Sequence, residues 1–220
     1  MGTTTEANVN SLLNCFANGE RTEEPYHHWN LSDCIPTETL DEILALPIAA
    51  PELGDVSGRR ELHNATRTYF DAENRQKHNC CDVFAEAFQD KQVISAIEST
   101  FGVNLDGTYL RIEYVQDTGG FWLEPHTDLG VKSFTMLLYA SKDPSHADLG
   151  TDIYNAAKEH VGRSPFFSNG ALVFVPADDT FHGFERRDIN GIRQSIIINY
   201  VTSEWRERDQ LAFPDTPISS

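Results

Sequence analysis

The stretch Ile192-Arg193-Gln194-Ser195-Ile196-Ile197-Ile198-Asn199-Tyr200-Val201 is dominated by β-branched and aromatic residues, which fit a pleated surface better than a helix. Working outward, residues 171–175, 151–154, 133–140 and 109–115 share that texture, and Gly, Pro, Asp and Asn clusters separate them. Short strands spaced by turn signals predict a sandwich or jelly roll rather than alternating β-α units.

Upstream of residue 101 the pattern changes. Apolar Leu40, Ile43 and Leu44 predict a short helix over 36–46, with Pro47 as its stop. The apolar stripe Val83, Phe84, Ala87, Phe88, Ile94 and Ile97 predicts one helix over 82–100, with Gly102 placed as its C-terminal cap. The expected organisation is a single domain over 1–220. In it a largely helical or irregular segment, 1–100, packs on and covers a β core, 101–203, and 204–220 forms a tail.

Charge narrows the function classes. Seventeen Lys and Arg stand against 34 Asp and Glu, a net charge of −17. Such a chain repels a phosphate backbone, which argues against a nucleic-acid partner. The acidity is uneven, because residues 1–58 hold ten acids and one base, Arg21, whereas residues 59–80 hold five bases (Arg59, Arg60, Arg67, Arg75 and Lys77) and three acids. These bases could greet an anionic substrate or simply form a solvated helix face. No run approaches the roughly 18 apolar residues a membrane span needs. The first ten residues lack the cationic and apolar regions of a signal peptide. Cys15, Cys34, Cys80 and Cys81 show no C-x-x-C spacing, so reduced thiols and a cytoplasmic setting are expected.

The chemistry gathers at Pro125-His126-Thr127-Asp128. In an extended strand, residues i and i+2 project to one face, so His126 and Asp128 could bring an imidazole and a carboxylate to one ion. His182, downstream of the strand at 171–175, is a candidate third ligand from a neighbouring strand. Two His and one carboxylate make the facial triad of non-haem Fe(II) oxygenases, with coordination positions left open. Arg193 and Ser195 share a face of their strand, and an Arg fork beside a hydroxyl suits a carboxylate.

Taken in order, these elements resemble the 2-oxoglutarate/Fe(II)-dependent dioxygenase superfamily, and most closely its prolyl-4-hydroxylase-like branch. Tyr114, the Gly119-Gly120 loop and His126-Thr127-Asp128 resemble that branch's strand, loop and H-x-D. Tyr139, in Thr135-Met136-Leu137-Leu138-Tyr139, resembles the tyrosine that hydrogen-bonds the far carboxylate of 2-oxoglutarate. Leu149-Gly150-Thr151-Asp152-Ile153-Tyr154 stands where the branch has a Gly-Gly-x-L strand, but it carries one Gly and a charged Asp152. His182 matches the distal iron ligand, and Arg193 with Ser195 the anchor for the co-substrate's C5 carboxylate.

The resemblance implies a mainly β fold with supporting helices around a double-stranded β-helix, or jelly roll. It implies His126, Asp128 and His182 as Fe(II) ligands, with Arg193, Ser195, Tyr139 and Tyr114 around 2-oxoglutarate, and O2 as oxidant. The intact Asp128 favours hydroxylation over halogenation. The expected activity is hydroxylation of an unactivated C–H of a small molecule or biosynthetic intermediate, with release of succinate and CO2. A cupin-like metalloenzyme, a protein prolyl hydroxylase and a non-catalytic jelly-roll binding module are the alternatives.

Overall fold

The computed structural model describes residues 3–51, 58, 67–128 and 130–219. Helix α1 (Thr5–Ala17) comes first, followed by β1 (Glu20–Thr22), β2 (His28–Leu31), α2 (Thr37–Leu44) and β3 (Thr68–Tyr69). Three helices follow: α3 (Ala72–Lys77), α4 (Asn79–Gln89) and α5 (Lys91–Phe101). Next come β4 (Tyr109–Asp117), β5 (Leu123–His126), β6 (Lys132–Tyr139) and β7 (Asp152–Tyr154). The chain finishes with β8 (His160–Arg163), β9 (Gly170–Phe174), β10 (His182–Phe184) and β11 (Arg193–Val201).

The single helix expected over 82–100 is two helices. Asp90 takes an extended ψ of 136°, and its carboxylate accepts the Gln92 backbone N–H at 2.8 Å. An aspartate is more stable capping a new helix than buried inside a long one, so the apolar stripe continues while the axis breaks. Gly102 does close α5, in the left-handed region at φ 70°, donating its N–H to Glu98 O. Helix α1 was not anticipated; its start is set by Thr4, whose hydroxyl accepts the Ala7 N–H at 3.2 Å.

The strands form two sheets. A seven-stranded sheet runs in the order β1-β2-β9-β6-β11-β4-β3, and a four-stranded sheet in the order β5-β10-β7-β8. Every pairing among them is antiparallel. The long strand β11 lies between β4 and β6, in register over Arg193↔Asp117 through Val201↔Tyr109 on one side.

Alternation along these strands sorts the side chains into two layers. Ile196, Ile198 and Tyr200 of β11, with Ile112 and Tyr114 of β4, face the core shared with α1, α4 and α5. There Phe101 meets Phe16, Trp29 and Phe134 at ring distances of 5.4, 5.0 and 5.5 Å. Burying each large apolar side chain contributes about 1.5–3 kcal/mol, which is how the helices brace the outer face of the sheet. The inner face packs Leu172 and Phe174 of β9 against Phe184, Ile153 and Leu123 of the smaller sheet. The site lies between the sheets.

Candidate metal centre and adjoining cavity

A cavity of about 440 Å³ opens between the two sheets. Its floor is a grid of inward-facing residues on three paired strands. Reading across β4, β11 and β6, Val115, Ser195 and Tyr139 form one row, followed by Glu113, Ile197 and Leu137, then Arg111, Asn199 and Thr135. Arg193 opposes Asp117 one row earlier. With a rise of about 3.3 Å per residue, Arg193 and Asn199 stand about 20 Å apart along β11.

Strands β5 and β10 bring the two histidines together, pairing His126 directly with His182. Gly183 permits this approach, because a Cβ there would sit 2.9 Å from the Leu123 carbonyl oxygen. The rings lie 4.5 Å apart. Asp128 lies just beyond the end of β5 rather than within it, so the expected i, i+2 strand geometry is replaced by the first residues of a loop. One ligand atom from each of His126, Asp128 and His182 falls within 4.8 Å of the others.

The protonation states suit a cation. His126 Nδ1 donates to Glu124 O at 2.8 Å and His182 Nδ1 to Thr180 O at 3.0 Å. A carbonyl can only accept, so in the neutral ring Nε2 carries the lone pair, and the carbonyl fixes tautomer and orientation as outer partners of metal-bound histidines do. Burial, and then the neighbouring His126, lowers the His182 pKa from 6.5 to about 4 despite the pull of Asp128; the imidazole is neutral at pH 7. Burial alone would raise the Asp128 pKa. The Lys132 ammonium, His182 and hydrogen bonds from Lys132 and Thr135 outweigh it and hold the carboxyl well below the usual carboxylate range.

Asp128 is held from both sides. Lys132 Nζ donates to Oδ1 at 2.6 Å and Thr135 Oγ1 to Oδ2 at 2.5 Å. The second contact ends a relay in which Arg111 Nη1 donates to Asn199 Oδ1 at 3.1 Å and Asn199 Nδ2 to Thr135 Oγ1 at 2.9 Å. Lys132 and Thr135 were not singled out from the sequence. For Thr135 a signal existed, since it shares a strand face with Tyr139; for Lys132 there was none, because its role depends on the loop that follows β5.

Among the co-substrate candidates, Arg193, Ser195 and Tyr139 line the cavity and Tyr114 does not. Arg193 is 5% exposed, donates through Nη1 to Asp117 at 2.6 Å and through Nε to Leu149 O at 2.8 Å, and lies 4.7 Å from the centre of the Phe184 ring. Tyr139 hydrogen-bonds Thr151 Oγ1 at 2.9 Å and Ser164 Oγ at 2.5 Å. Ser195 is 4% exposed, and its hydroxyl has no partner among the described residues. Tyr114 packs in the helix-side core and accepts a bond from Gln194 Nε2 at 2.6 Å. It alternates with Glu113 and Val115, and those two took the cavity face.

The unmatched Ser195 hydroxyl yields a prediction. A buried hydroxyl with no partner disfavours the folded state by about 1–3 kcal/mol. Ser195→Ala is therefore expected to leave the ligand-free melting temperature unchanged or raised, while weakening 2-oxoglutarate about 2–10-fold, as loss of one neutral hydrogen bond would. Thermal melts alongside 2-oxoglutarate titration check both halves.

Asp152, His160 and Glu185 form a second group with metal-ligand spacing, but their surroundings do not fit a cation. The buried Asp152 carboxylate accepts from Arg163 Nε at 2.7 Å, Arg187 Nη2 at 2.8 Å and the Glu185 N–H at 2.6 Å. Two guanidinium groups already neutralise it, which explains an aspartate at the start of a buried strand. Of the basic segment, Arg67 lines the cavity, Arg75 binds Asp82 and the Ala212 carbonyl, and Lys77 pairs with Glu73 at the surface. Arg59 and Arg60 lie outside the described residues.

Among solved structures, a prolyl 4-hydroxylase from Phytophthora capsici is similar at 13% identity and TM-score 0.61, over 93% of this chain and 67% of that one. The fold is shared with the prolyl 4-hydroxylases. A prolyl hydroxylase from Trichoplax adhaerens, in complex with a hypoxia inducible factor oxygen degradation domain peptide fragment, matches at 14% identity and TM-score 0.59, over 91% of each chain. The non-heme alpha ketoglutarate dependent epimerase SnoN from nogalamycin biosynthesis matches at 12% identity and TM-score 0.55, over 98% of this chain and 91% of that one. No family profile and no curated protein matches the sequence. The prolyl-4-hydroxylase fold thus persists here at identities too low for sequence comparison to register.

Proposed function

We propose that the chain is an Fe(II)- and 2-oxoglutarate-dependent dioxygenase that hydroxylates a C–H bond of a small molecule or biosynthetic intermediate. The observation that carries this reading is the gathering of His126, Asp128 and His182 on the wall of a cavity that also holds Arg193 and the unpartnered Ser195 hydroxyl. Two imidazoles and a carboxylate are the donor set such an iron takes. In this reading 101–203 is a double-stranded β-helix within one domain, 1–220. The four free thiols support a reducing, cytoplasmic setting.

When bound, the iron with 2-oxoglutarate and O2 supplies the oxidation that converts 2-oxoglutarate to succinate and CO2 and the substrate C–H to C–OH. The chain's own residues position and protect. Arg193 and Ser195 hold the distal carboxylate of 2-oxoglutarate, and Asp117 and the Leu149 carbonyl fix the guanidinium plane. Tyr139 orders that end of the cavity through Thr151 and Ser164. Val115, Leu137 and Ile197 give the middle of the cavity an apolar floor, which limits water where the co-substrate and substrate meet.

The direct test supplies purified protein with Fe(II), ascorbate, O2 and 2-oxoglutarate and measures succinate, with an anaerobic search for the metal-to-ligand absorption band. Succinate formation and the band are expected. Their joint absence across a broad substrate panel would sink the reading, and metal binding with no response to 2-oxoglutarate would favour a cupin-like enzyme. The likeness to a peptide-bound prolyl hydroxylase makes prolyl peptides the second substrate class to include.

A further inference from the structure

The far end of the cavity is built around Arg111, which is 2% exposed. Its nitrogens are committed. Nε donates to Gln210 Oε1 at 3.1 Å, Nη1 to Asn199 Oδ1 at 3.1 Å, and Nη2 to Glu113 Oε2 at 2.8 Å and to Tyr69 Oη at 3.2 Å. The guanidinium also lies 5.0 Å from the centre of the Trp205 ring. A cation so occupied serves as scaffold rather than ligand grip.

Two donors near Arg111, one stacked on it and one sharing Glu113 with it, are not fully hydrogen-bonded. Trp205, stacked on it, is 9% exposed and lines the cavity, yet its Nε1–H has no acceptor among the described residues. Arg67, also on the cavity wall, pairs with Glu113 through Nε, which stands 3.3 Å from Oε1 without forming a hydrogen bond. A buried donor without an acceptor is uncommon and disfavours the folded state by about 1–3 kcal/mol. Both groups are donors; the indole N–H lacks an acceptor among the described residues, and the Arg67 Nε has only the ion pair with Glu113.

Charge points the same way. In the ligand-loaded site, Fe(II), Lys132 and Arg193 are balanced by Asp128, Asp117 and the dianion 2-oxoglutarate. Among the described residues, Arg67 and Arg111 face Glu113 at the far end, an excess of one positive charge inside a chain of net charge −17. Glu124, the remaining acid of the wall, is exposed and screened by solvent. We infer that the primary substrate carries an oxyanion, a carboxylate or a phosphate, received by Arg67 and the Trp205 indole N–H at the end of the cavity away from Arg193. This rests on the dioxygenase reading, because the charge count includes the metal and 2-oxoglutarate.

The test uses protein loaded with Zn(II) as a diamagnetic stand-in and saturated with 2-oxoglutarate, so that the Arg193 end is filled. Acetate and inorganic phosphate are titrated against chloride at equal ionic strength, while the indole N–H resonance of Trp205, assigned with Trp205→Phe, is followed by NMR. A saturable shift is expected with at least one anion, and the tighter of the two tells carboxylate from phosphate. Arg67→Gln should weaken it at least fivefold, whereas Arg67→Lys stays within about threefold and the surface variant Lys77→Gln matches wild type. Calorimetry on Trp205→Phe, which keeps the stacking and removes the donor, should show weaker binding as well. No saturable shift with either anion, or a shift unaltered in Arg67→Gln, overturns the inference. The titration needs no turnover. Anion binding in a protein that never forms succinate would refute the dioxygenase reading alone, and an active enzyme without the anion response would refute this one alone.

Discussion

His126→Ala is expected to lower iron affinity by at least about a hundredfold and to abolish succinate formation. Outer partners of metal ligands alone are worth 10–100-fold in affinity, and this substitution removes one of the three proposed protein ligands outright. Asp128 and His182 would remain, held by Lys132, Thr135 and the Thr180 carbonyl, but two of the three proposed ligands do not define a facial site. The fold should survive, since His126 is only half-buried and the strand pairing of β5 with β10 uses backbone atoms. His160→Ala, in the second carboxylate-histidine group, should leave iron content unchanged. Metal analysis after dialysis, with thermal melts as the folding control, separates the outcomes. Wild-type iron retention in His126→Ala would remove that histidine from the metal site.

Arg193→Met should act on stability and on the co-substrate at once. The guanidinium forms a buried pair with Asp117, their side chains 6% and 5% exposed, and removing one member of such a pair costs about 3–5 kcal/mol. In a chain of this size that lowers the melting temperature on the order of 10 °C. The variant should also weaken 2-oxoglutarate at least about tenfold, through the lost charge-assisted hydrogen bond. Adding Asp117→Asn removes the charge that Arg193 neutralises, so the double variant should regain part of the stability and none of the co-substrate affinity. Equal 2-oxoglutarate affinity in wild type and Arg193→Met would show that the pair is structural only.

How far the site could be read from the chain depends on how local each feature is. His126-Thr127-Asp128 and the shared face of Arg193, Ser195 and Asn199 follow from short-range geometry, and the structure brings His126, Asp128 and His182 within reach of one ion. Asp117 was missed because nothing local links it to Arg193. They are 76 residues apart and meet only through the register of β4 against β11. Tyr114 was assigned to the co-substrate pocket, but both faces of β4 are covered, so hydrophobicity does not tell which parity faces the cavity. The break at Asp90 escaped notice because an apolar stripe continues across a cap as readily as through a helix.

By itself the amino-acid sequence determined the strand-rich character of 101–203, the acidity concentrated before residue 59, and which residue types could hold a metal and a carboxylate. Those depend on side-chain chemistry and on the two-residue period of a strand. Only the tertiary structure decided that Asp117 clasps Arg193, that Lys132 and Thr135 grip Asp128, that Tyr114 belongs to the helix side, and that Arg67 and Trp205 line the same cavity. Each depends on the register between distant strands and on the packing of one sheet over another, which long-range contacts set and no local stretch encodes.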